Sequence, residues 1–242
     1  MSNRALGYSD GGLELITSKR LPVLHGFPTR ADAPAYGAGA SEIEATLVAL
    51  AAAARVDRAR LFGVKQVHGG QVVEAPATEL IEADAIWSGR TGDAVGVRTA
   101  DCVPLLLVDP KGKRVAAVHA GWRGALAEIA RVAIRALVTA GSRPEDLHAA
   151  LGPSIRSCCY QVGDDLARQF RAHFGPGIAV DRDGHPWLDL PAAVRATLGS
   201  CGVPVEQTDD LGLCTACDDR FFSHRRDRGL TGRHFSFVAC HF

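Results

Sequence analysis

The stretch Val97–Gly124, VRTADCVPLLLVDPKGKRVAAVHAGWRG, decides how this chain is read. Val103–Val108 is a nearly unbroken apolar run, Asp109-Pro110-Lys111-Gly112 has turn composition, and Arg114–Val118 runs back as a second apolar segment. Neither segment alternates polar with apolar residues, so both are expected to be strands covered on both faces. Polar groups stand at their outer ends: Asp101-Cys102 at the mouth of the first, His119 at the end of the second. A small-residue loop, Ala120–Gly124, then leads to a helix expected over Ala125–Ala140 and ended by Gly141.

Working outward, strands are expected at Leu21–His25, Leu61–Val67, Gln71–Ala75, Ala83–Trp87 and Ala94–Arg98, and later at Leu147–Leu151, Val203–Gln207 and Phe235–Cys240. Helices are expected at Ser41–Ala54, with Ser41 and Glu44 as a capping box, at Val162–Phe174, and after Asp189 with Pro191 in the first turn. Strands and helices mix throughout. No linker, repeat or low-complexity segment divides them, so residues 1–242 are read as one α/β domain.

The composition excludes several roles. There are 27 basic and 27 acidic residues, a formal net charge of zero. No long basic run offers a nucleic-acid or anionic-membrane surface. The N-terminal MSNRALGYSDGG lacks an apolar leader core, and no apolar run approaches the roughly 18 residues that span a bilayer. A cytoplasmic protein is expected, its 7 cysteines reduced.

Three residues invite a metal. His68, Cys102 and His119 each stand where a strand gives way to a loop of small or turn-forming residues. Two nitrogens and one sulfur from separate loops leave a fourth position open, the stoichiometry of a catalytic zinc site. Each residue taken alone also fits a buried, hydrogen-bonded side chain. Asp101 is placed to orient a ligand or relay a proton. Arg123, beside a helix N-terminus, and Arg226 are candidates for a phosphate. Cys214-Thr215-Ala216-Cys217 is ambiguous between half a zinc site, a redox pair and two packed thiols. Cys240-His241 is a weak candidate to complete it. The adjacent Cys158 and Cys159 are expected to be buried thiols, since neighbouring cysteines rarely bridge.

Several motifs together resemble one family: Lys65-Gln66-Val67-His68-Gly69, Ala83-Asp84-Ala85, Thr99–Pro104, His119–Gly124, Leu151–Ile155 with Cys158-Cys159-Tyr160, and Cys214-Thr215 with Phe221-Phe222-Ser223 and Arg225-Arg226. It is the family first called polyphenol oxidase or laccase-domain proteins. Its members are described as purine nucleoside phosphorylases and, in some cases, peptidoglycan editing factors. The resemblance implies a single α/β domain of mixed sheets sandwiched between helices, layered α-β-β-α. It implies a metal, usually zinc, on His68, Cys102 and His119, with copper a possible substitute. The implied chemistry is phosphorolysis of adenosine, inosine, guanosine or methylthioadenosine, with adenosine deamination at the same site; the partners are then purine nucleosides and phosphate.

This sequence departs from the pattern in a shortened, Ala-rich Arg30–Ser41 segment, in Gln161 after Tyr160, and in His224 before the arginine pair. The alternative is a hydrolase that edits muramyl-peptide precursors, using the same metal or a Cys102–His119 pair. A binding module without activity fits the clustered reactive groups least. Copper oxidation of phenols is disfavoured: the 9 histidines include no His-X-His pair, and the single Met is the initiator.

Overall fold

The computed structural model describes residues 6–8, 12–77 and 80–242; part of the N-terminal stretch read above for a leader lies outside them. The two apolar runs form the centre. Strands β8 (Val103–Asp109) and β9 (Arg114–Ala120) pair antiparallel, Val103 opposite Ala120 and Asp109 opposite Arg114. They lie in a six-stranded mixed sheet of order β13 (Thr208–Asp210), β10 (His148–Leu151), β8, β9, β6 (Ala85–Ser88), β5 (Val72–Glu74). A second six-stranded sheet has order β1 (Leu6–Tyr8), β2 (Glu14–Ile16), β3 (His25–Pro28), β14 (His234–Ala239), β7 (Ala94–Thr99), β4 (Leu61–Phe62). A separate hairpin pairs β11 (Ala179–Arg182) with β12 (His185–Leu188).

Side-chain alternation explains the layering. Leu106, Val108, Val115 and Ala117 point from the central strands into the gap between the sheets, where they join Val95, Val97, Phe27 and Val238. Leu105, Leu107, Ala116 and Val118 face the other way. They pack on α3 (Ile129–Thr139), α4 (Asp164–Phe174) and α5 (Leu190–Ser200), through Ile129, Ile134, Phe170 and Val194 among others. The outer face of the second sheet, with Phe235 and Phe237, receives Leu47, Leu50 and Ala51 of α1 (Ala40–Ala53). The order of layers is α-β-β-α. Full burial of both faces of β8 and β9 is why their apolar runs are unbroken.

Differences from the expected elements have local causes. The strand expected over Leu21–His25 instead begins at His25 and is the third, after β1 and β2. Ser41 does not cap α1: the cap is Gly39, and Glu44 pairs with Arg58 instead. The helix expected over Ala125–Ala140 is two helices, α2 (Trp122–Leu126) and α3, broken where Glu128 adopts φ 51°. Val203–Gln207 is a turn rather than a strand, and the strand follows as Thr208–Asp210. Asp189 does cap α5, accepting from the Ala192 N–H at 2.9 Å. Among the described residues no helix is long and apolar enough to cross a membrane.

Candidate active site

Strand β7 belongs to one sheet and β8 to the other, yet only Ala100-Asp101-Cys102 connects them. The chain therefore crosses the sandwich at one end in a tight turn, with Asp101 at φ 89°. This crossing puts Cys102 at the sandwich rim. Register puts His119 beside it, because His119 pairs with Pro104 on β8. His68 arrives from the loop between β4 and β5, itself in the left-handed region at φ 59°. The ligand atoms of His68, Cys102 and His119 lie within 4.8 Å of one another, and the two imidazoles meet edge to face at 4.8 Å between centroids. Gly121 closes the cluster: a Cβ there would stand 3.1 Å from the Cys102 sulfur and 3.2 Å from the His68 ring.

Asp84, fully buried just before β6, holds two of these residues in place. Its carboxylate accepts from His119 Nδ1 at 2.7 Å, from the His68 N–H at 2.9 Å, and from the Gly69 N–H at 2.6 Å. With Nδ1 so engaged, His119 is left with Nε2 toward the cluster. Burial works against the Cys102 thiolate, but hydrogen bonds from His119 and His68 outweigh it and bring its pKa down to about 6. Burial likewise opposes the His119 imidazolium, and Asp84 and Cys102 overcome it, raising His119 to about 9. Both shifts favour the charged forms of the pair, thiolate and imidazolium. A soft thiolate, two imidazoles and a carboxylate behind one of them form a donor set suited to zinc.

The cluster opens into a cleft of about 640 Å³. Arg98, Arg123, Arg225 and Arg233 are among its lining residues, together with Trp122 and Tyr160. Arg123 lies over the Trp122 ring at 4.2 Å and Arg225 over the Tyr160 ring at 5.2 Å.

The structure separates the residues expected to work here. His68, Cys102, His119, Asp101 and Arg123 all line the cleft; Arg226 does not. Its guanidinium is turned into its own loop, donating to the Thr215 carbonyl at 2.9 Å, the Phe221 carbonyl at 2.7 Å and Asp227 at 2.9 Å. The cleft receives Arg225 instead. Asp101 has both oxygens occupied, by the Thr215 hydroxyl at 2.6 Å and the Arg225 N–H at 2.7 Å. It anchors the arginine loop, and Asp84 is the carboxylate that orients His119. Arg123 sits in α2, only five residues long, so its attraction for anions rests on its own charge.

Asp84 stands in the Ala83-Asp84-Ala85 motif, which by itself assigns it no task. The available signal was an acid between two alanines leading into an apolar strand, since a buried carboxylate requires donors.

The arginine loop is also held by His234, whose Nε2 accepts from the Phe222 N–H at 3.0 Å while Nδ1 donates to the Thr99 carbonyl at 3.1 Å. Burial lowers its pKa from 6.5 to about 4. Between those values the unfolded chain binds more protons than the folded one. Stability from neutral His234 is therefore complete above pH 6.5 and drains away as pH falls through 4, about 3 kcal/mol in all. Denaturant midpoints across this range are expected to fall more steeply for the native protein than for His234→Asn. That variant is about 2 kcal/mol less stable at pH 7, with one buried bond unmade.

A family model described as multi-copper polyphenol oxidoreductase laccase matches residues 35–241. The chain belongs to this family. A purine nucleoside phosphorylase of Deinococcus radiodurans is 39% identical over 244 residues, covering 94% of this chain and 93% of that protein. Adenosine deaminase RL5, from an unknown prokaryotic organism, is 39% identical over 158 residues, 63% of this chain and 60% of that one. Among solved structures, YlmD from Geobacillus stearothermophilus matches with a TM-score of 0.88 over 99% of this chain and 100% of that chain, at 25% identity. The mixed-sheet α/β architecture is shared with it.

Proposed function

We propose that the chain is a zinc-dependent purine nucleoside phosphorylase that also deaminates adenosine at the same site. The observation that carries this reading is the meeting of the His68, Cys102 and His119 ligand atoms on a cleft walled by four arginines and two aromatic rings. The relatives named purine nucleoside phosphorylase and adenosine deaminase support the reaction class. His68, Cys102 and His119 would hold the zinc, and a zinc ion there supplies Lewis acidity.

The remaining work belongs to the chain. Inorganic phosphate carries close to two negative charges, and leaving water for this cleft requires cationic partners. Arg123 and Arg225 flank the cluster and provide them, forming paired N–H donors that fix the nucleophile's orientation. Trp122 and Tyr160 offer apolar faces to the flat purine. Asp101 acts as a positioning residue, tying Arg225 to the turn that carries Cys102. Asp84 keeps the His119 proton on Nδ1, so that Nε2 stays available.

Arg225→Ala is expected to raise the phosphate KM about tenfold or more with little change in melting temperature. Arg226→Ala should do the reverse, leaving KM near its native value and costing about 2 kcal/mol through lost loop bonds. Steady-state kinetics and thermal melts on the two variants separate these outcomes.

The proposal is tested with a panel of purine nucleosides, with and without phosphate, before and after chelation. Phosphate-dependent release of free base that chelation abolishes is the expected result. Conversion of adenosine to inosine without phosphate reports the second activity. One observation favours a rival: a thiolate beside an imidazolium is also the resting state of a thiol hydrolase, which fits editing of muramyl-peptide precursors. Activity on such precursors that survives chelation but not alkylation of Cys102 would establish that reading instead.

A further inference from the structure

We infer that the chain carries a second metal site, a structural tetrathiolate zinc site formed by Cys158, Cys159, Cys214 and Cys217. The four sulfurs lie within 4.8 Å of one another, outside the cleft lining. This corrects the reading of Cys158 and Cys159 as buried thiols: Cys158 is exposed and Cys159 half-buried. Cys240 and His241, the other candidates to complete the Cys214–Cys217 pair, are engaged elsewhere, with the carbonyls of Lys113 and Arg55.

The spacing suits a metal better than a disulfide. Cys159 and Cys217 sulfurs are 3.0 Å apart, and Cys158 and Cys217 sulfurs 3.4 Å. A disulfide needs about 2.05 Å. Four sulfurs at 2.3 Å from a tetrahedral zinc lie ~3.8 Å apart, so these two contacts would open by ~0.8 and ~0.4 Å.

Main-chain geometry prepares the site independently. An isolated bridge joins Ser154 to Cys214, with the Ser154 N–H on the Leu213 carbonyl and the Thr215 N–H on the Ser154 carbonyl, each at 3.1 Å. This brings the two cysteine pairs together across more than fifty residues of sequence. The backbone N–H groups of Arg156, Ala216 and Cys217 all point at the Cys214 sulfur. Two of them come from its own Cys-X-X-Cys turn, the arrangement by which such a turn stabilises a metal-bound thiolate. Zinc binding at the four sulfurs would release the displaced thiol protons to solvent.

The location gives the site its purpose. One arm is the loop that continues into Tyr160, and the other leads through Thr215 to Arg225. Bound zinc would staple together the two loops that supply the stacked Tyr160 and Arg225 of the cleft wall.

The test uses full-length protein purified without chelator. The Cys102→Ala/His119→Ala variant, whose first site is dismantled, is expected to retain about one zinc per chain by elemental analysis. Its cobalt-substituted form is expected to show the intense thiolate-to-metal charge-transfer absorption of four sulfurs. Cys214→Ser/Cys217→Ser should lose one equivalent and leave the first site filled. If either variant fails to fold, cobalt titration of the native protein decides: a spectrum with the intensity of four thiolates beyond Cys102 supports the site, and a spectrum of one thiolate overturns it. The inference is also overturned if the first-site variant keeps no zinc, or if thiol titration of the native protein, denatured without reductant, shows two cysteines consumed in a disulfide of this cluster. A first-site failure leaves these readouts intact, so the two assignments fail separately.

Discussion

Cys102→Ala is expected to lower turnover about a thousandfold and to empty the first metal site, while leaving the fold in place. The expected loss follows from what the ligand set supplies. Lewis-acid stabilisation of developing charge contributes several kcal/mol, and each 1.36 kcal/mol is tenfold in rate. Removing the thiolate leaves two imidazoles, one of them drawn to Asp84, as an incomplete binding set. The effect should fall on kcat more than on nucleoside KM, because the aromatic and arginine walls remain. Structure should survive, since Cys102 stands in a rim turn and is only partly buried. Circular dichroism and zinc content measured on the same sample check both halves. Full activity with retained metal would sink the assignment. His68→Ala sharpens the test. The metal reading expects a comparable loss, whereas a thiol hydrolase would keep its Cys102–His119 pair and much of its rate.

The second large effect belongs to Asp84. Asp84→Asn keeps the shape of the side chain but replaces one acceptor oxygen with a donor. The carboxylate now accepts from His119 Nδ1 and from the N–H groups of Val67, His68 and Gly69. An amide cannot satisfy them all, and its own N–H₂ confronts further donors. The site is fully buried, so water does not repair the mismatch. The expected cost is about 3 kcal/mol, which for a chain of this size lowers the melting temperature by roughly 5–10 °C. Loss of the carboxylate behind His119 also weakens zinc binding by roughly 10–100-fold. Calorimetry and competition with a chelator of known affinity measure the two effects. An unchanged melting temperature together with unchanged zinc affinity would remove Asp84 from its orienting role.

These expectations rest on features of uneven legibility. Strands β8 and β9 were plain in sequence because burial on both faces leaves no polar interruption and Asp109–Gly112 marks the turn. His68, Cys102 and His119 were visible as reactive groups at strand ends. What joins them was not. Asp84 reaches His119 across 35 residues, and the crossing between sheets at Ala100–Cys102 is a topological fact that periodicity does not encode.

Other misreadings have physical reasons. Val203–Gln207 alternates like a strand, but Pro204 withholds a donor and the chain turns. The true strand, Thr208–Asp210, was hidden by its polarity, because Asp210 serves as the acceptor for Arg156 and Arg195 at 2.5 Å each. The β11–β12 hairpin went unread, although Asp183-Gly184, both at positive φ, is a strong hairpin signal. Choosing between Arg225 and Arg226 lay beyond sequence altogether: adjacent side chains leave one loop in different directions, one toward the cleft and one toward the loop's own carbonyls. The four-cysteine cluster was legible only in halves, since an adjacent pair and a Cys-X-X-Cys pair do not match any dense local spacing.

Phosphorus NMR of the purified protein with inosine and inorganic phosphate tests the proposed phosphorolytic site most directly. The expected result is a pentose phosphate ester that grows in step with free hypoxanthine and with loss of inorganic phosphate, and that is absent from the Cys102→Ala variant. Free base released without phosphate consumption, or a phosphate ester formed equally well by that variant, would contradict it.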